Sequence, residues 1–175
     1  MERNETTGRR LRIAVPIVIL VLVMAFVFLC SIFSLNAWVA GKPGINAERK
    51  VEGETSIMTM DHRPTLDVPI LFADLTITSL EDGKPLDDRG ITAEGYIDTI
   101  ELSHWIGAVG HFTDEELASR HLTAIDDTMV TKDSCILLAF SEFPPIDCPI
   151  QIDISYRVLG IFPKTETVTH YWDAE

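Results

Sequence analysis

Five consecutive residues, Met58-Thr59-Met60-Asp61-His62, hold the most suggestive set of donor atoms in the sequence. On an extended strand alternate side chains share a face, so Met58, Met60 and His62 would point the same way. Two thioethers and an imidazole suit Cu(I), which soft ligands select. The same run also describes a strand that buries two methionines and ends at His62, ahead of Arg63-Pro64. No second element supplies donors, so packing is the first expectation and an extracytoplasmic copper or small-ligand module the alternative.

The remaining chemistry is sparser. His104, His111, His121 and His170 show no HxH, HxxxH or HExxH spacing, the arrangements that bring imidazoles onto one metal. Asp87-Asp88, Asp126-Asp127 and Glu81-Asp82 are acidic pairs without the D-x-D-x-D-G spacing of a calcium loop. Adjacent side chains on extended chain diverge, so these read as solvated turns. No GxSxG, phosphate loop or CxxC occurs. The chain is therefore read as a non-enzyme that needs no cofactor. Cys135 and Cys148 are thirteen positions apart around a turn. Outside the cytoplasm such a pair is expected to oxidise, and the loop-entropy model would assign the bridge about 3 kcal/mol. Trp105, beside Ile106, Val109 and Phe112, and the loop Phe143-Pro144-Pro145-Ile146 are candidate contact surfaces. Aromatic residues enrich interface centres, and Pro lowers the ordering cost of a binding loop.

What positions these residues is set first by one stretch. From Ile13 to Ala40 there are 28 residues without a charge. A bilayer core about 30 Å thick needs about 20 helical residues. The stretch is longer than the h-region of a cleavable signal, and Leu35-Asn36-Ala37 and Trp38-Val39-Ala40 are poor cleavage sites. Residues 13–40 are thus expected to be a retained transmembrane helix, with Pro16 in its first turn and Trp38 at the lipid–water interface. Arg3, Arg9, Arg10 and Arg12 precede it, which places a tail of residues 1–12 in the cytoplasm and the rest in the periplasm or extracellular medium. The whole chain of 175 residues carries −13, the tail +2 and the remainder −15. Such an acidic surplus argues against a nucleic-acid partner.

Residues 41–53 read as a polar linker after the Gly41-Lys42-Pro43-Gly44 breaker, and 54–175 as one domain. Alternation of period two runs through 71–78 and, without a fault, through 150–158. Further strands are expected over 54–60, 91–102, 135–140 and 165–172. A parity slip in 91–102 calls for a bulge near Gly95 or Thr99. Ser141–Asp147 would join two strands as a hairpin, and Glu81-Asp82-Gly83-Lys84-Pro85 is a turn. Thr113-Asp114-Glu115-Glu116 is a capping box, with Phe112 and Leu117 as its hydrophobic staple, opening a short helix over 114–122. The fold expected is mainly β: one N-terminal membrane helix, then an antiparallel β-sandwich, immunoglobulin-like, with one short helix. One uncharged anchor, one compact domain and no catalytic motif together point to an accessory or assembly subunit. Its partners would be the bilayer and other integral membrane subunits.

Overall fold

The structure is a computed structural model that describes residues 3–39, 52–98, 109–130, 134–144 and 148–171. The chain divides into two units, Met1–Phe33 and Ser34–Glu175.

The first unit is one helix, α1 (Arg3–Ile32). Its segment Val15–Ile32, 18 residues, is long and apolar enough to cross a membrane. At 1.5 Å per residue it spans about 27 Å. The side chains lie open, with Leu20, Leu22 and Phe28 each more than 60% exposed. The helix differs from expectation at both ends. It begins ten residues before Ile13, so Pro16 lies in the interior and removes one helical hydrogen bond rather than starting the helix. It ends at Ile32 rather than Ala40, because Ala37–Val39 leave the helix to take sheet partners and Asn36 adopts a left-handed φ of 48°.

The second unit has ten strands among the described residues. They are β1 (Ala37–Val39), β2 (Glu54–His62), β3 (Ile70–Ser79), β4 (Ala93–Asp98), β5 (Val109–Thr113), β6 (Leu122–Ala124), β7 (Met129–Val130), β8 (Cys135–Phe140), β9 (Ile150–Val158) and β10 (Phe162–His170). A 3₁₀ turn (Leu86–Arg89) and a short helix, α2 (Asp114–Ala118), interrupt them. The strands make two antiparallel sheets. One runs β1-β2-β8-β4-β6, and the other β10-β9-β3-β7. In the first sheet β1 pairs with the 60–62 end of β2 and β5 with its 54–58 end, both on the edge opposite β8. The molecule is mainly β, built as two sheets around a shared core.

Alternation explains where that core sits. Ile150, Ile152, Ile154, Tyr156 and Val158 of β9 are buried while the residues between them are wetter. In β3 the alternation changes parity: Ile70 and Phe72 are buried, then Ile77 and Ser79. A register shift between Phe72 and Asp74 makes the change, leaving Ala73 as an extra residue. This is why Phe72 breaks the odd-position pattern of 71–78. The bulge expected at Gly95 is absent, since β4 pairs evenly with β8 from Ala93 to Asp98; Thr99 lies outside the described residues. β8 is buried on both faces, and α2 and β6 cover one of them. Ile57, Cys135 and Leu137 form that outer cluster, covered by Tyr96, Phe112, Leu117 and Leu122. The expected hairpin over 141–147 is also corrected. β8 belongs to the first sheet and β9 to the second, so the connection crosses between sheets. Of the 41–53 linker, Glu52 and Gly53 are described and form a turn; residues 41–51 lie outside the described residues.

Candidate functional site

Met58, Met60 and His62 share the inner face of β2, as its alternation requires. Both methionines are fully buried and His62 is 7% exposed. His62 Nε2 lies 3.3 Å from Ser134 Oγ, just before β8, and its Nδ1 is buried without a hydrogen-bond partner. Burial pushes the imidazole pKa down to about 4, so the ring is neutral at pH 7. A soft metal would have to draw the methionine sulfurs out of core packing. No group of three His, Cys, Asp or Glu capable of holding a metal occurs among the described residues.

The other face of the same strands gathers acids around a thiol. Asp98 of β4 pairs directly with Cys135 of β8, and Asp61 is one position from the Met60–Ile136 pair. Cys135 is fully buried, and its Sγ sits 3.6 Å from the Met60 carbonyl. Burial, reinforced by the Asp61 and Asp98 carboxylates, pushes the thiol up to about 12. It is inert as a nucleophile, because the thiolate is the reactive form. Burial also raises the Asp61 carboxyl, with Arg63 opposing it.

The expected disulfide is not formed: Cys135 and Cys148 are both free thiols. The reason is the crossing between sheets. Cys135 begins β8, whereas Cys148 precedes β9 and lies 3.4 Å from Ser79 Oγ and 3.4 Å from Arg89 Nη1. The candidate contact residues scatter too. Trp38, expected within the membrane helix, is on β1 opposite Asp61, 38% exposed, with the Arg63 guanidinium 5.6 Å from its ring centre. Phe143 is half-buried, its ring 5.3 Å from His111 and 5.9 Å from Phe140. Pro144 is buried, so it supports the fold rather than presenting a contact surface. Trp105 and Pro145 lie outside the described residues.

Sequence reasoning did not find a cleft on the first sheet. A hollow of about 460 Å³ opens on the outer face of the first sheet. Thr55, Ile57, Tyr96, Ala139 and Leu122 line it, with Glu94 and Asp114 as its charged groups among the described residues. Ala139 leaves room for it, being small where it stands between Ile57 and Glu94 in one cross-strand row. Tyr96 donates its hydroxyl to Glu94 Oε2 at 2.5 Å, which raises the phenol pKa. The capping box that places α2 is complete: the Glu116 N–H donates to Thr113 Oγ1 at 3.3 Å, and the Thr113 N–H to Glu116 Oε2 at 2.8 Å. No family model, characterised protein or solved structure matches this chain, so an immunoglobulin-like arrangement has no support beyond the two sheets themselves.

Proposed function

We propose that this chain is a non-catalytic, single-pass membrane subunit that helps assemble or stabilise a larger membrane protein complex through its β-domain. One observation carries the reading: the uncharged, outward-facing apolar surface of α1 from Val15 to Ile32. Such a surface is stable in lipid or against other apolar helices. The four arginines before it favour a cytoplasmic N-terminus and a domain on the periplasmic or extracellular side.

The fold also favours retention of the anchor. Leu35 is fully buried, Asn36 Nδ2 donates to the Arg63 carbonyl at 2.8 Å, and β1 is the edge strand of the first sheet. Cleavage after Ala37 or Ala40 would remove all or part of this, leaving a cavity and an unpaired edge. The non-catalytic part rests on the sequence, which has no nucleophile–base pair or metal motif of recognised spacing.

The test is gentle detergent extraction of native membranes, capture of the tagged full chain, and mass spectrometry of what accompanies it. A defined integral membrane protein at fixed stoichiometry is expected. A homogeneous monomer with no companion refutes the assembly role. An intact mass lacking residues 1–40 refutes the anchor.

A further inference from the structure

We propose that the tip of the β9–β10 hairpin, Leu159 and Ile161 with Met129 beside them, is a second membrane contact that sits in the interfacial layer of the bilayer. The inference rests on the membrane-anchored reading above. Among the described residues three non-glycines have positive φ: Asn36 at 48°, Asp127 at 55° and Leu159 at 54°. Asn and Asp tolerate that region because their short side chains bond locally; leucine has no such compensation. Gly160 follows at φ 70°, and the Ile161 N–H donates to the Val158 carbonyl at 3.1 Å. Two central residues at positive φ make the kind of turn for which Asn-Gly is the favoured pair. Here the first position is leucine, and the turn also presents Ile161 at 71% exposure, beside Met129 at 58%. Met129 Cε is 3.8 Å from where a Cβ on Gly160 would stand, so Met129 lies against the turn that carries Leu159 and Ile161. Backbone preference and apolar burial are both violated at one place, which marks a surface selected for contact.

The location identifies the contact. The domain begins at Ser34, two residues after the last residue of α1. Ser34 and Thr65 exchange hydrogen bonds of 2.9 and 3.0 Å, and four residues on, the Pro69 carbonyl accepts from the Leu159 N–H at 2.8 Å. Ser34 Oγ also donates to Glu166 Oε2 at 3.3 Å. From Glu166, β10 runs back four residues to Phe162, roughly 13 Å, and reaches the tip. The tip therefore lies about four strand residues from Glu166, the residue that Ser34 contacts at the start of the domain. On its own hairpin the tip is flanked by bases: residues 154–165 contain Arg157 and Lys164 and no acid, while Asp67 and Asp127 stand two residues before Pro69 and Met129, which border it. Apolar side chains flanked by bases suit the boundary between acyl chains and anionic headgroups.

The test is a nitroxide label on Ile161→Cys in the full chain, reconstituted in phosphatidylcholine–phosphatidylglycerol vesicles. The three native thiols are buried, and the unsubstituted chain carried through labelling gives their background. Val23→Cys in α1 and Leu80→Cys at the opposite end of the domain serve as references. Met129→Cys gives a second position on the patch. Collision rates with oxygen, which partitions into lipid, and with a water-soluble nickel chelate are compared. The Ile161 and Met129 labels are expected to show an oxygen-to-nickel ratio several-fold above Leu80 and below Val23. A ratio equal to that of Leu80 overturns the tip contact while leaving the anchor intact. Shielding from both reagents means that protein covers the patch, and it overturns the lipid assignment. A Val23 label open to the nickel chelate overturns the anchored reading and this inference with it.

Discussion

His62 offers the sharpest quantitative handle on the domain. Its ring closes the inner face of β2, with Ser134 on one nitrogen and nothing on the other. The folded pKa is about 4 against 6.5 for the free side chain, because burial disfavours the charged ring. Between those values the unfolded chain binds a proton that the folded chain does not, so stability must rise with pH. No penalty applies well above pH 6.5. It grows as pH falls through the window and levels off below 4, at about 3 kcal/mol for a gap of this size. Between pH 7.5 and pH 5 the change is about 2 kcal/mol.

His62→Gln removes the titration while keeping a donor that can reach Ser134. The measurement is urea unfolding of the full chain in detergent, followed by intrinsic fluorescence, for both proteins at both pH values. Subtracting the two pH responses cancels the groups they share. Asp61, whose raised carboxyl acts in the opposite sense, drops out in the same way: its contribution is greatest at low pH and fades as pH rises through its folded value. The wild type is expected to lose about 2 kcal/mol more than the variant on going to pH 5. Equal losses would mean that His62 is solvated or paired in the folded state, and the burial assigned to this end of β2 would be wrong.

Three further substitutions probe other parts of the fold. Leu159→Asn should stabilise the domain by about 1 kcal/mol, because asparagine accepts the left-handed φ at lower cost; a fall in the urea midpoint would show that the leucine packs in the free protein. Gly95→Ala places a Cβ 2.7 Å from Ile125 Cγ2, and should lower stability by about 1–3 kcal/mol. Adding Ile125→Ala should recover part of that loss, and a strictly additive pair would refute the contact. Thr113→Ala removes the hydroxyl that accepts from the Glu116 N–H and should lower stability by about 1 kcal/mol, read as the same shift in midpoint; no shift would mean that α2 does not depend on its side-chain cap.

The features legible from sequence are those written in local chemistry. β8 and β9 fall where the apolar runs and alternation place them, and α2 opens on Thr113 because the capping box needs no tertiary help. What misled is non-local. An uncharged run from Ile13 to Ala40 looks continuous, yet Ala37–Val39 gain a ladder on β2 that a helix could not give them, and the helix ends at Ile32. Cys135 and Cys148 flank a turn-like segment, and sheet membership, which spacing does not encode, separates β8, which Cys135 begins, from β9, which Cys148 precedes. The 460 Å³ cleft depends on one alanine in a cross-strand row, a relation that exists only once register is fixed. Leu159-Gly160 is different in kind, since it carries a local signal: glycine supplies half of a tight turn, and leucine occupies the place where asparagine would serve stability better. A sequence under selection for folding alone would have little reason to keep an apolar residue there. The conflict at Leu159 and the exposure of Ile161 share one cause if this tip rests in the interfacial layer of a bilayer, where an apolar side chain serves contact at the expense of the turn.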